Sequence, residues 1–203
     1  KVTFDSSIYG LYYDAKIGEY YTESSQRVVL LRDNIGTAFT YGFETMLDWS
    51  ISRTFFENNE NFTWNLFTNT AFTDSQYLKS DQPNIEGNKV EFVPLVNLKT
   101  GTGIGYKNFM SSIQLTYVSK QFTDATNSSV GANDISDGVS GEIPAYYVAD
   151  FSASYKWKRF KLEAGINNFT NNSYFTRRAT GYPGPGIIPS ENRTFYATLE
   201  FKF

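Results

Sequence analysis

The sequence contains neither cysteine nor histidine. Without cysteine there are no disulfides and no thiolate metal sites, and the redox compartment is left open. Without histidine the usual general base and the commonest metal ligand are missing. The common nucleophile–histidine arrangements are therefore excluded. The expectation is a protein that is not an enzyme and carries no resident cofactor or metal. Basic residues are not in excess: 18 Lys+Arg stand against 21 Asp+Glu, a net charge of −3. With these spread along the chain, nothing forms a basic footprint for nucleic acid. No apolar run approaches the roughly 18 residues of a transmembrane helix. That absence does not exclude a β-barrel, whose strands need an apolar residue only at alternate positions. No signal peptide opens the chain; Lys1-Val2-Thr3-Phe4 already reads as strand. The expectation is a start inside a structure.

What is abundant is aromatic. Fifteen Tyr and 18 Phe stand among 203 residues, an enrichment that suits sheets and membrane interfaces. The apolar residues follow a period of two. Phe195, Ala197, Leu199, Phe201 and Phe203 alternate with Thr194, Tyr196, Thr198, Glu200 and Lys202. The same alternation runs from Tyr147 to Trp157, from Phe160 to Asn167 after a tight turn at Lys158-Arg159, and from Phe39 to Ile51. Four further strands are expected at Val2–Ile17, Phe62–Thr73, Val90–Thr102 and Phe109–Gln121.

The connections alternate in length. Long ones are expected near Tyr20–Asp33, Asp74–Lys89, Thr123–Ala145 and Thr170–Glu191, and short ones near Phe55–Asn61, Gly103–Asn108 and Lys158–Arg159. Long outer loops and short periplasmic turns are the rhythm of an outer-membrane barrel. A soluble β-sandwich would also alternate apolar and polar residues. Long strands weigh against it. So do aromatics at strand ends, such as Tyr12-Tyr13, Phe55-Phe56 and Tyr146-Tyr147, where an interfacial belt would sit.

Several stretches are more specific. "GEIPAYYVADFSASYKW", "FKLEAGINNFTNNSYFTRR" and "GYPGPGIIPSENRTFYATLEFKF" resemble the end of a TonB-dependent outer-membrane receptor, with Asp150 before an aromatic, Asn167-Asn168-Phe169, a Gly/Pro loop, Arg193 and a terminal Phe203. "NIGTAFTYGFETML" resembles a recurrent strand of the same family through Gly42 and Glu44. The Arg177-Arg178 pair with Gly181–Pro189 resembles the ferric-dicitrate branch. The resemblance implies an all-β, antiparallel transmembrane β-barrel. Residues 1–203 would be its C-terminal eight strands, part of a barrel of about 22 strands with a plugged lumen. The plug and the TonB box would lie N-terminal of these residues. It implies an outer-membrane receptor for TonB-dependent uptake of a ferric chelate, such as ferric citrate. Its partners would be its own plug and earlier strands, the TonB-ExbB-ExbD energising complex, outer-membrane lipid and in some relatives a surface lipoprotein. An importer of glycan, cobalamin or peptide and a small structural or adhesion barrel remain as alternatives.

The polar residues divide accordingly. Arg177 and Arg178 suit a carboxylate-rich ligand, which guanidinium groups grip by paired bonds; Tyr182 in the Gly/Pro loop would touch a ligand or lid. Anchoring of the loop to neighbouring carboxylates is the alternative for the arginines. Glu44, Asp48, Asp150, Lys156, Lys161, Glu163, Glu200 and Lys202 should face the lumen, as a charge ladder or against the plug. Arg193 should be a lumen- or plug-facing wall or rim residue paired with an inward carboxylate such as Glu163, with a ligand contact as the alternative. Asp134, Asp137 and Glu142 share one loop but fit no tight calcium motif.

Overall fold

The computed structural model describes residues 1–24, 27–57, 59–128, 138, 141–179 and 186–203. It contains β1 (Val2–Ser24), β2 (Arg27–Ser50), a short α1 (Ile51–Phe55), β3 (Phe62–Ser80), β4 (Val96–Tyr106), β5 (Phe109–Val118), β6 (Gln121–Phe122), β7 (Glu142–Ile143), β8 (Tyr146–Trp157), β9 (Phe160–Asn167), β10 (Phe175–Ala179), β11 (Gly186–Pro189) and β12 (Thr194–Phe201). Eight strands form one antiparallel sheet in the order β1-β2-β3-β4-β5-β8-β9-β12. Each strand pairs with its sequence neighbour in that set. β1 and β12 do not pair with each other, so among the described residues the sheet is an open wall and not a closed eight-strand barrel.

The wall has two chemically different faces because side chains alternate along a strand. Leu47 pairs with Thr68, Thr68 with Thr100, Thr100 with Leu115, and Leu115 with Ala149, which traces one row across the outer face. That face leaves large apolar groups uncovered: Phe4 is 64% exposed, Leu199 68% and Phe195 71%. Water would penalise such a surface at roughly 25 cal/mol per Å², and a lipid solvent removes that penalty. Near the tight-turn ends of the strands, Trp157 stacks on Phe160, and Phe160 packs on Phe201. Aromatics of this kind mark the lipid–water boundary.

A strand needs about 9–11 residues to cross a bilayer. Counted from the tight-turn end, Phe62–Phe72 is the crossing part of β3, and β3 continues to Ser80. β1 and β2, with 23 and 24 residues, rise further. The expected long connection at Tyr20–Asp33 is therefore corrected: Tyr20 pairs with Leu31 in a hairpin that runs on to Ser24 and Arg27. The β-branched and aromatic residues there favour extended backbone whether or not lipid surrounds them. Gly36 makes the accompanying bulge at φ +145°, where a Cβ would fall 2.1 Å from the Lys79 carbonyl oxygen.

Other boundaries move as well, among them the end of β4, which runs to Tyr106, and the end of β5, at Val118. Ile51, expected as the end of a strand, opens α1. Val90–Leu95, expected as strand, is a loop that covers the free edge of upper β3. The Thr73 N–H donates to the Leu95 carbonyl at 3.0 Å, and the Tyr77 N–H to that of Asn88 at 2.9 Å. The covering is packed: Ile35, Ala38, Tyr77, Ile85, Val90 and Ala125 form a buried core above the membrane, with Tyr20 and Val93 against it.

Candidate functional site

The inner face is the candidate site. Register carries Asp48 across to Phe67, Gly101, Gln114 and Asp150 in turn. Glu44 shares parity with Asp48, and Lys156 with Asp150. Lys156 opposes Lys161, Lys161 opposes Glu200, and Glu163 opposes Thr198. All eight expected inward residues, Lys202 included, therefore lie on one face. Over β1–β4 this face holds an open groove of about 490 Å³, lined by Asp5, Ser7, Glu44, Met46, Asn69 and Lys99 among others.

Within that face the charges have separate tasks. Lys161 donates to Glu163 at 2.7 Å, and Lys202 lies 3.5 Å from Glu200. The expected Arg193–Glu163 pair is corrected. Arg193 precedes Thr194, whereas Glu163 faces Thr198, four residues further along β12. At about 3.3 Å per residue that is too far for contact. The Arg193 backbone N–H instead donates to Asn171 Oδ1 at 3.2 Å. Asp150 faces inward, but its carboxylate accepts the Asn168 N–H at 2.8 Å and so caps the end of β9.

Two close approaches shape the same face. The Tyr9 ring packs on Gly42, where a Cβ would clash with it, and the Tyr196 ring packs on Gly165 in the same way. The Tyr9 hydroxyl reaches Thr73 Oγ1 at 2.8 Å. Higher up, Tyr77 is fully buried and its hydroxyl donates to Glu91 Oε2 at 2.7 Å. Burial, reinforced by the Glu91 carboxylate, raises the Tyr77 phenol well above its ordinary pKa. On the opposite face of β3, burial opposes ionisation of Asp74, but hydrogen bonds from Lys89, the Ser75 N–H and Tyr41 outweigh it and hold the carboxyl low.

The two arginines do not converge. They are successive residues of β10, opposite Ile188 and Ile187 of β11, so their side chains leave opposite faces of the hairpin. Arg177 is exposed. Arg178 is 9% exposed and donates to the backbone carbonyls of Glu142 (3.0 and 3.3 Å) and Gly138 (2.6 Å). Its guanidinium sits 5.3 Å over the Phe175 ring. The loop-anchor role therefore falls to Arg178, with carbonyls as the acceptors in place of carboxylates. Glu142's own carboxylate pairs with Lys120 at 3.2 Å. Tyr182, Asp134 and Asp137 lie outside the described residues.

Sequence reasoning did not single out Asn168 as a hub. It holds φ at +49° and is 2% exposed. Its amide donates to the carbonyls of Asn172 (2.8 Å) and Glu191 (3.3 Å), and its side-chain oxygen accepts the Asn172 N–H at 3.0 Å. Asparagine tolerates the left-handed region better than other side-chain-bearing residues. The available signal was the cluster Asn167-Asn168-Phe169-Thr170-Asn171-Asn172.

An antiparallel wall with one lipid-type face, one charged face and loops packed above it defines an outer-membrane barrel segment. The family description "TonB dependent receptor-like, beta-barrel" matches residues 2–169, and the chain belongs to this family. It is a family of receptors and transporters, not enzymes. Among solved structures, the chain is similar over its whole length to the unliganded ferric citrate transporter FecA, with a TM-score of 0.76 and 20% identity, covering 29% of that chain. It is also similar to the siderophore receptor PiuA from Acinetobacter baumannii (TM-score 0.71, 20% identity, 26% of that chain). The copper transporter OprC gives a TM-score of 0.69 at 16% identity, with 29% of that chain covered. The chain thus spans less than a third of the length of these structures, and likenesses at such identity establish the fold.

Proposed function

We propose that this chain is the C-terminal eight-strand part of the wall of a TonB-dependent receptor, a barrel of about 22 strands, that imports a ferric chelate, with ferric citrate as the leading cargo. The observation that carries the reading is family membership over residues 2–169, joined to likeness with a ferric citrate transporter and a siderophore receptor. The inner charged face would meet a plug supplied from outside these residues. TonB-ExbB-ExbD would deliver energy through that plug, and a surface lipoprotein is a further candidate partner. Arg177, exposed on the last outer hairpin, is the candidate contact for an anionic chelate, and Tyr182 a second. Arg178 is committed to the loop backbone.

The likeness to a copper transporter favours a second reading, a TonB-dependent importer of a different cargo. Calorimetric titration of the intact receptor with ferric citrate, a catecholate siderophore complex and a copper salt separates the two. Saturable binding of ferric citrate alone supports the first reading; binding of copper alone supports the second.

A further inference from the structure

Among the described residues, the last two outer loops hold only short paired segments. β6 and β7 pair over two residues each, and β10 and β11 over four to five. An isolated two-stranded ribbon is marginal even when longer. Among the described residues, Arg178 hydrogen-bonds from one ribbon to the other. Arg178 leaves β10, crosses Phe175 of its own strand, and donates three hydrogen bonds to carbonyls on either side of Gly141. Gly138 lies against β11: a Cβ there would be 3.8 Å from Gly186 Cα and from Ile187 Cγ1. The Thr123 hydroxyl donates to the Gly141 carbonyl at 2.6 Å, which holds the receiving segment from its other side.

The chemistry suits a latch. A planar guanidinium presents donors in a fixed fork and can span two carbonyls, whereas an ammonium is a point donor. Charge-assisted bonds are stronger than neutral ones, and the buried cation meets carbonyl dipoles and a ring face with its flanking carboxylate already taken by Lys120. We propose that Arg178 is the latch through which the β6–β7 ribbon and the β10–β11 ribbon are carried as one body at the receptor's outer mouth. This inference does not depend on which cargo the receptor takes.

The test uses the intact receptor, with folding checked by the heat-dependent gel shift of the barrel. Amide hydrogen exchange is followed at residues 141–143 in wild type, Arg178→Ala, Arg178→Lys, Arg177→Ala and Glu142→Gln. Exchange there should accelerate at least tenfold in Arg178→Ala, less in Arg178→Lys, and stay within twofold in the other two. Unchanged exchange in Arg178→Ala overturns the latch. Should Arg178→Ala fail to fold, spin labels at Pro144 and Ile187, both exposed, give a second readout. The label-to-label distance distribution should broaden in Arg178→Lys; an unchanged distribution overturns the proposal.

Discussion

The Asp150 carboxylate accepts the backbone N–H of Asn168 at 2.8 Å, tying the outer half of β8 to the residue that follows β9. From that joint the Asn168 amide reaches Asn172 and Glu191, so one part-buried pair fixes both ends of the last outer loop. Asn168→Ala should destabilise the folded receptor by about 2–4 kcal/mol. Strain at positive φ contributes roughly 1–2 of that, and orphaned buried partners the rest. Asn168→Gly should lose less, because glycine keeps the backbone and forfeits only the side-chain bonds. Denaturant unfolding followed by tryptophan fluorescence checks the order Asn168→Ala, then Asn168→Gly, then wild type in rising stability.

Tyr77 sets a pH dependence outside the membrane-crossing part of β3. Its phenol is raised in the folded state by burial and by Glu91. A raised group contributes stability that is fully present below its unfolded pKa of about 10 and is lost as pH climbs beyond it. Thermal unfolding between pH 9 and pH 12 should therefore show a steeper loss of stability in wild type than in Tyr77→Phe. Equal slopes would mean that Tyr77 ionises as an ordinary surface phenol.

The two faces of β12 should be distinguishable position by position. Single cysteines placed from Phe195 to Phe201 in the intact receptor should report a period of two. Positions 196, 198 and 200 should react with a water-soluble maleimide, and positions 195, 197, 199 and 201 should be quenched by a lipid-borne quencher. Labelling that is uniform, or shifted by one residue, contradicts the register in which Leu199 opposes Leu162 and Glu200 opposes Lys161.

The eight crossing strands were legible because crossing lipid forces a strict alternation, and Phe195–Phe201 states it without ambiguity. Above the membrane the same signal changes meaning. Val90 and Val93 are apolar because they meet Tyr77 and Ile35 in a packed core, which in sequence is indistinguishable from a strand meeting lipid. In sequence the Tyr20–Asp33 stretch reads as a connection, because a wall needs no strand there, yet its backbone pairs onward as a soluble hairpin would. The placement of the charged residues on one face followed from parity alone. The separation of Arg177 from Arg178 did not: it required knowing that the Gly/Pro loop is entered by a strand, which sends adjacent side chains to opposite faces.

That separation yields a prediction about cargo. Arg177→Ala should weaken binding of an anionic ferric chelate about tenfold, the scale of one charged hydrogen bond, without altering the melting temperature. Arg178→Ala should lower outer-loop order first and affect binding only through it. Calorimetry with ferric citrate, run beside thermal unfolding of each variant, distinguishes the two effects.

The most direct measurement is uptake of radiolabelled iron, supplied as ferric citrate, by cells whose only outer-membrane receptor for it is the intact protein. The account predicts saturable uptake that disappears when TonB is deleted and whose half-saturation rises in Arg177→Ala. No uptake of iron from ferric citrate, or uptake that persists without TonB, would contradict it.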